Sequence, residues 1–201
     1  MARYTGPRTR RSRRVRQLLD ENKAKYYDRR PYPPGEHGRG RIRESQYQVQ
    51  LLEKQKLRHT YGVLEKQFRR YYKEAARQKG ITGENLMRIL ETRLDNVVYR
   101  SGLAATRPQA RQLVNHGHFR VNGSKVDIPS YQVSQGDVIT LKERSKDVFP
   151  VQLAVDTLDR VKPEWIEVNA DERKITIETL PSRQQIDTDV QEQLIVELYS
   201  K

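Results

Sequence analysis

The sequence contains no cysteine, so neither a disulfide framework nor a thiolate metal site stands behind its fold. No apolar run approaches the ~20 residues of a membrane span, and the amino terminus lacks the apolar core of a signal peptide. A mitochondrial presequence would also be basic, but Gly6-Pro7 interrupts this start and no hydrophobic helix face lies there. The chain therefore reads as soluble and untargeted, with a cytoplasmic location expected. Hydrophobic residues are 35% of the 201, against 32% charged, a lean core that points to stability drawn from a partner. Also missing are a Gly-rich phosphate loop, a nucleophile elbow, a paired carboxylate and an adenylate-binding signature. Absence of motifs is weak by itself, but it agrees with a chain that is not an enzyme. The four histidines are His37, His59, His116 and His118. Without cysteine, His116-x-His118 is a weak metal case, since three or four ligands must converge. No metal and no cofactor is expected.

Carboxylates are scarce where basic residues are dense. Residues 1–60 hold 17 Lys/Arg against 6 Asp/Glu, and 61–100 hold 9 against 5. Residues 101–145 hold 6 against 3, whereas 146–201 reverse the balance with 7 against 12, for a net charge of +13. Polyanion contact should concentrate in the first half, leaving the acidic tail for protein packing or a protein partner. Arg3–Arg16 holds seven arginines (Arg3, Arg8, Arg10, Arg11, Arg13 and Arg14 first among them), with Tyr4 available to stack on a base or sugar. Pro31–Arg43 has three prolines and three glycines, so its backbone is extended or turned. Residues 1–45 carry little apolar material. They are expected to be a basic arm that is disordered alone and orders by neutralising phosphates.

From Ser45 a helical period takes over. Tyr47, Leu51 and Leu52 mark one helix, broken at Tyr61-Gly62. In the next, Leu64, Phe68, Tyr71 and Ala75 form one stripe, and Lys66, Arg69, Arg70, Lys73 and Arg77 form another nearly opposite. A solvated face usually interleaves Glu with Lys; here Glu65 and Glu74 sit at the margins, which favours RNA over solvent. Gln78–Leu86 is a hinge with glycines at 80 and 83, and Thr82 or Gly83 caps the helix from Glu84.

Leu86, Ile89, Leu90, Leu94, Val97 and Val98 fall near one helical face, predicting a single helix that ends at Ser101-Gly102. A short helix follows, capped by Thr106, with Pro108 in its first turn and Gly117 stopping it. Its apolar stripe is Ala110, Leu113 and Val114. Arg107, Arg111 and Asn115 run beside that stripe, so losing both arginines is expected to remove charge and little packing. Phe119 and Val121 then alternate with Arg120 and Asn122, and Asn122-Gly123 is a strong hairpin signal. Val126 and Ile128 lie on the return limb, and Val138–Leu141 makes one more strand. The short helix and hairpin would share an edge offering Arg107, Arg111, His116, His118, Arg120 and Lys125, with no carboxylate before Asp127. In the tail, Pro150–Val161 reads helical on Val151, Ala154, Val155 and Leu158. Two extended runs follow, Ile166–Asn169 and Lys174–Glu178, and Gln193–Lys201 looks like a short buried closing element.

RLDNVVYR (Arg93–Arg100), TRPQARQLVNHG (Thr106–Gly117), VNG (Val121–Gly123) and GDVI (Gly136–Ile139) resemble the small RNA-binding domain named after the fourth protein of the small ribosomal subunit. Tyr61–Leu86 and the carboxyl end are similar to the same ribosomal family, in its bacterial, cysteine-free form. The family includes versions whose arm is pinned by a four-cysteine zinc site, and that zinc is not carried over here. The resemblance implies an α+β fold: a mostly helical first domain with a small C-terminal β element, and an inserted α/β RNA-binding domain. The implied boundaries are a basic arm at 1–45, the helical domain at 46–90, the module at 91–150 and a returning part at 151–201. In the family, the short helix and following hairpin face the RNA.

The resemblance further implies a primary binder of small-subunit ribosomal RNA in the 5′ domain, which nucleates assembly of the subunit body. It implies contact with the fifth protein of that subunit, bearing on decoding accuracy, with mRNA and repression of its own message as further roles. Arg93-Leu94-Asp95 also resembles the catalytic triplet of pseudouridine synthases. Those enzymes place it in a large separate domain, whereas here it lies in the module's first helix, so a salt bridge or a helix-end role is expected of Asp95. The rival readings are a stand-alone RNA-binding stress protein, which leaves residues 1–85 unexplained, and an RNA-modifying enzyme.

Overall fold

The computed structural model describes residues 4–40, 43–146, 148–157, 161–169 and 172–200. In chain order these form α1 (Arg8–Val15), α2 (Ala24–Asp28), α3 (Gln46–Thr60), α4 (Glu65–Arg77), α5 (Thr82–Glu91), α6 (Leu94–Arg100) and α7 (Arg107–Asn115). There follow β1 (Phe119–Val121), β2 (Ser124–Lys125), β3 (Val138–Leu141), α8 (Phe149–Thr157), β4 (Ile166–Asn169), β5 (Lys174–Ile177) and α9 (Glu192–Ser200). The fold class is α+β, as expected, with helices dominating and an antiparallel sheet of five strands. Two compact units divide the chain: Met1–Gly83 with Thr188–Lys201, and Glu84–Asp187.

The first unit is helical. Ser45 starts α3, its hydroxyl accepting from the Gln48 N–H at 3.3 Å. Leu57, Tyr61, Phe68, Tyr71 and Ala75 are buried, and α9 packs along α3 with Ile195 fully buried. The predicted apolar stripe on α4 holds except at Leu64. That residue is the extended N-cap of α4 and stays 38% exposed. Polar side chains fasten α9: Gln50 donates to Glu197 at 2.8 Å, and the Tyr199 hydroxyl donates to Glu65 at 2.7 Å. The Tyr199 ring stacks on Tyr72, with centroids 4.7 Å apart.

The arm differs from its expected disorder. Residues 8–15 are helical, and α1 packs against α3 with Ser12 and Val15 each 1% exposed. Arg13 donates to the Tyr32 carbonyl at 2.9 Å, and Arg16 pairs with Glu44 at 2.5 Å. One buried valine and a few charged hydrogen bonds replace the broad apolar face whose absence predicts disorder.

The second unit packs helices on one face of a sheet ordered β2-β1-β3-β5-β4, antiparallel throughout. Phe119 and Val121 of β1, Ile139 and Leu141 of β3, and Ile175 and Ile177 of β5 point into one core. Val97, Val98, Ala110, Val114 and Trp165 meet them there. Asn122 and Gly123 make the predicted turn, both with positive φ (49° and 81°), the conformation a two-residue hairpin needs.

Two expectations are corrected. The single helix across residues 86–98 is two helices, because Arg93 is extended at φ −67° and ψ 136° and bridges to Gln132. The loop at 129–131 then accepts the first amides of α6: Leu94 N–H donates to the Tyr131 carbonyl at 2.9 Å, and Asp95 N–H to Pro129 at 3.2 Å. Helical periodicity survives the break because both pieces bury the same side. The two extended runs of the tail do not return to the helical domain. β5 pairs with β3 and buries Ile175 and Ile177, and the chain rejoins the first unit at Thr188. Residues 149–157 form the predicted helix as far as they are described, while Leu158 lies outside the described residues.

Because α1 is docked, residues 12–16 should resist trypsin in the free protein. Val15→Ser should release them, with cleavage there faster by at least about tenfold, an opening change of about 1.4 kcal/mol. Equal cleavage in both proteins would show that α1 is not held by Val15.

Candidate nucleic-acid interface

In the second unit, α7 is fixed at both ends. The Thr106 hydroxyl accepts from Gln109 N–H at 3.3 Å, and Pro108 sits where no helical donor is needed. At the other end His118 N–H donates to the Leu113 carbonyl at 3.2 Å and Gly117 N–H to Val114 at 2.8 Å. Gly117 has φ +70°, and a Cβ there would stand 2.7 Å from the end of the Lys125 side chain, which lies over the helix end. Helix, turn and hairpin thereby share one edge, and Asn115, His116, Arg120, Asn122 and Lys125 are exposed along it.

Arg107 and Arg111 are on this edge but are not loose charges. Arg111 Nε donates to Asp95 Oδ2 at 2.7 Å, and Arg93 spans both oxygens of that carboxylate, reaching Oδ1 at 3.0 Å and the shared Oδ2 at 2.8 Å. Arg107 Nε donates to Asn96 at 2.9 Å while its guanidinium lies 4.3 Å over the Tyr99 ring. Asn96 is turned towards Arg107 by Glu91, whose carboxylate also takes Arg100 at 2.7 Å. Both arginines are half-buried and held by the module's own first helix, contrary to the expectation that removing them would take away charge and little packing. Of the two roles expected of Asp95, a salt bridge or a helix-end position, the ion pairs show the first, and its place in the first turn of α6 is compatible with the second. Neither Asn96 nor Glu91 stands out in the sequence. Polar residues flanked by buried Leu94, Val97 and Val98 were the available signal, since buried polar groups need partners.

Other predicted residues have split roles. Asn122 ties the hairpin to β3, donating to Asp137 at 2.8 Å and accepting from Val138 N–H at 2.9 Å. The His118 ring lies 2.9 Å from the Ser145 hydroxyl, and burial, then His116 and Lys142, lower its pKa, so it is neutral at neutral pH. Lys125 is exposed and 3.4 Å from Asp127.

In the first unit, Lys66, Arg69, Arg70, Lys73 and Arg77 are all exposed on α4. None of them is ion-paired among the described residues, so the stripe offers five unneutralised cations in line. Glu65, the one carboxylate of the first turn, is drawn inward instead. Burial would raise its pKa, but hydrogen bonds from Lys54 and Tyr199 and nearby charge prevail and lower it. On the arm, Arg10 and Arg14 are exposed, Arg8 pairs with Asp20 at 2.9 Å, and Arg11 lies 3.3 Å over the Tyr4 ring. Tyr4 thus stacks on an arginine of its own arm, and Arg3 lies outside the described residues. Beneath α1, His59 Nδ1 is buried with no hydrogen-bond partner. Burial, then Arg11, Arg58, Arg14 and Lys54, push its pKa down to about 3.

Residues 3–91 match the family model described as "Ribosomal protein S4/S9 N-terminal domain", and residues 92–139 match the "S4 domain". A protein of Nocardia farcinica called small ribosomal subunit protein uS4 is 63% identical over the full length of both chains. Proteins of the same name from Mycobacterium avium and Rhodococcus erythropolis are 61% and 62% identical, again end to end. The chain belongs to the uS4 family. This is a ribosomal protein family and not an enzyme family, in agreement with the engagement of Asp95 by two arginines. The full-length match also covers residues 1–85, which the stand-alone stress-protein reading leaves unexplained.

Two measurements check this site. Asp95→Ala leaves Arg93 and Arg111 facing a vacated buried position and should cost ~3–5 kcal/mol. Arg111→Ala leaves Asp95 with Arg93 and should cost ~1.5–3 kcal/mol. Thermal melts indistinguishable from wild type would show that Asp95 organises nothing. For His59, the folded pKa lies below the unfolded value, so the unfolded chain takes the extra proton. Its contribution is full above about pH 6.5 and is lost as pH falls towards 3. Between about pH 7 and pH 5, before the Glu65 carboxyl titrates, denaturant midpoints of the wild type should fall, and those of His59→Gln should stay flatter.

Proposed function

We propose that this chain binds the RNA of the small ribosomal subunit directly, as a structural constituent of the ribosome in the cytoplasm. The observation that carries the reading is the α4 stripe of five exposed cations with no carboxylate partner among the described residues. A pre-set edge at α7 and the hairpin adds to it. Duplex RNA closes its deep groove to side chains, so recognition here is of shape and backbone. Phosphate contacts supply affinity, and arginines already oriented by Asp95 and Asn96 supply register. The resemblance extends the proposal to the 5′ domain of that RNA, and to early binding that nucleates assembly of the subunit body. The acidic tail, 12 Asp/Glu against 7 Lys/Arg in residues 146–201, supports a protein neighbour, the fifth protein of the subunit, with a bearing on decoding accuracy. Messenger RNA, including its own, would meet the same phosphate-reading surfaces.

A footprint on the protein's own small-subunit RNA tests the reading. If roughly eight to twelve phosphates are engaged, log affinity should fall against log salt with a slope of about −6 or steeper. A slope shallower than about −3 would mean that the basic surfaces are solvated. Replacing Lys66, Arg69 and Lys73 with Gln should leave stability within about 0.5 kcal/mol per site. The same variant should weaken binding at least tenfold and erase one block of protections.

A further inference from the structure

The face of the sheet turned away from the helices carries its own basic row. Since Phe119, Val121, Ile139, Leu141, Ile175 and Ile177 fill the inner face, the residues between them point outward. The register sets Lys125 beside Arg120, Arg120 beside Thr140, and Thr140 beside Lys174. At about 4.8 Å between strands, this line crosses four strands in roughly 15 Å. Where β3 ends, the 3-10 turn Glu143–Ser145 adds Lys142 and Arg144, with Lys146 just beyond. The turn is fastened by the His118 ring to the Ser145 hydroxyl at 2.9 Å and by Lys142 N–H to the His118 carbonyl at 2.9 Å.

Of these, Arg120, Thr140, Lys142, Arg144, Lys146 and Lys174 line an open groove of about 690 Å³. It holds five cations (Arg120, Lys142, Arg144, Lys146 and Lys174) against the carboxylates Glu143 and Glu172. Glu143 is taken by Lys146 at 3.0 Å, whereas Arg120, Lys142, Arg144 and Lys174 form no ion pair among the described residues. Glu167 faces the same side but is paired across to Thr176, one step beyond the basic row.

We propose that this outer sheet face is a second RNA-backbone site of the module, adjoining the α7 edge at Arg120 and Lys125 and occupied by a phosphate run of the same ribosomal RNA. The inference rests on the RNA-binding reading above. Charge complementarity selects the ligand, since the groove is cationic over the width of several phosphates. No aromatic ring lines it among the described residues, so it has no platform for stacked bases and reads backbone in place of sequence. Fixed strands and a pinned turn hold the lysines in register, which a flexible basic tail would not do.

The test uses the full chain and its own small-subunit RNA. A triple variant, Lys142→Gln, Arg144→Gln and Lys174→Gln, should keep its melting temperature, since none of the three side chains is buried or ion-paired among the described residues. Its salt slope should become shallower by about 2–3, near 0.7–0.9 for each phosphate no longer neutralised. Hydroxyl-radical protection should vanish in one RNA segment and persist in the segment erased by the α4 variant. Lys142→Arg with Lys174→Arg, which keeps the charge, should bind as wild type and guards against misfolding. An unchanged slope and unchanged protections in the triple variant, with the α4 variant still defective, would overturn the sheet site and leave the RNA-binding reading intact. Loss of binding to an acidic segment of another ribosomal protein, with RNA binding unchanged, would also overturn it, assigning the face to a protein. If the wild-type chain itself fails to protect the RNA, the broader reading falls first and this one with it.

Discussion

Asp95 is a carboxylate left 3% exposed inside a small module, and it must be matched by positive charge to remain there. Arg93 approaches from the break before α6 and Arg111 from α7, so one side chain binds two segments that sequence periodicity alone would leave free to slide. The helix break follows from the same demand. Arg93 reaches Asp95 from an extended backbone, and that extension lets the loop at 129–133 pair with it. Glu91 does for Asn96, Arg100 and Arg107 what Asp95 does for its own pair. A module built on two buried acids therefore displays its arginines in set directions.

Charge is divided by use across the chain. Some cations are spent inside each unit: Lys54 on Glu65, Arg16 on Glu44, Arg93 and Arg111 on Asp95. Others face solvent in rows, along α4 and across the outer side of the sheet. A net charge alone cannot separate the two groups. Neighbouring carboxylates do, because each one removes a cation from the surface and adds it to the fold.

Much of this is legible in the sequence. Periodicity places α3, α4 and α7, the Asn122-Gly123 pair places the hairpin, and the five cations opposite Phe68 and Tyr71 are exposed. What the sequence hides has common physical causes. A helix broken at Arg93 still buries Leu90 and Leu94 on one side, so its period conceals the break. Strands of four residues carry too little pattern to reveal their partners, so β5 cannot be assigned to β3 from sequence. The docked arm escapes notice because a single valine and a few arginine hydrogen bonds leave almost no apolar signature. Arg107 and Arg111 look like surface charges because their acceptors lie eleven and sixteen residues earlier, beyond any local rule.

The return of α9 to the first unit sets an order of events during synthesis. Strand β3 waits for β5, about thirty residues later, a delay of a few seconds at ordinary elongation rates of about 5–20 residues per second. The first unit has a longer wait. Its α3 and α4 leave the exit tunnel early, yet Ile195 and Tyr199 of α9 follow more than a hundred residues after α4. The unit that begins first is completed after the second, and until α9 emerges its basic helices stand without the helix that closes their core. A nascent chain of this kind is exposed longest on the surface with the greatest attraction for polyanions. Its closing helix thus acts as the step that commits the domain to its native form.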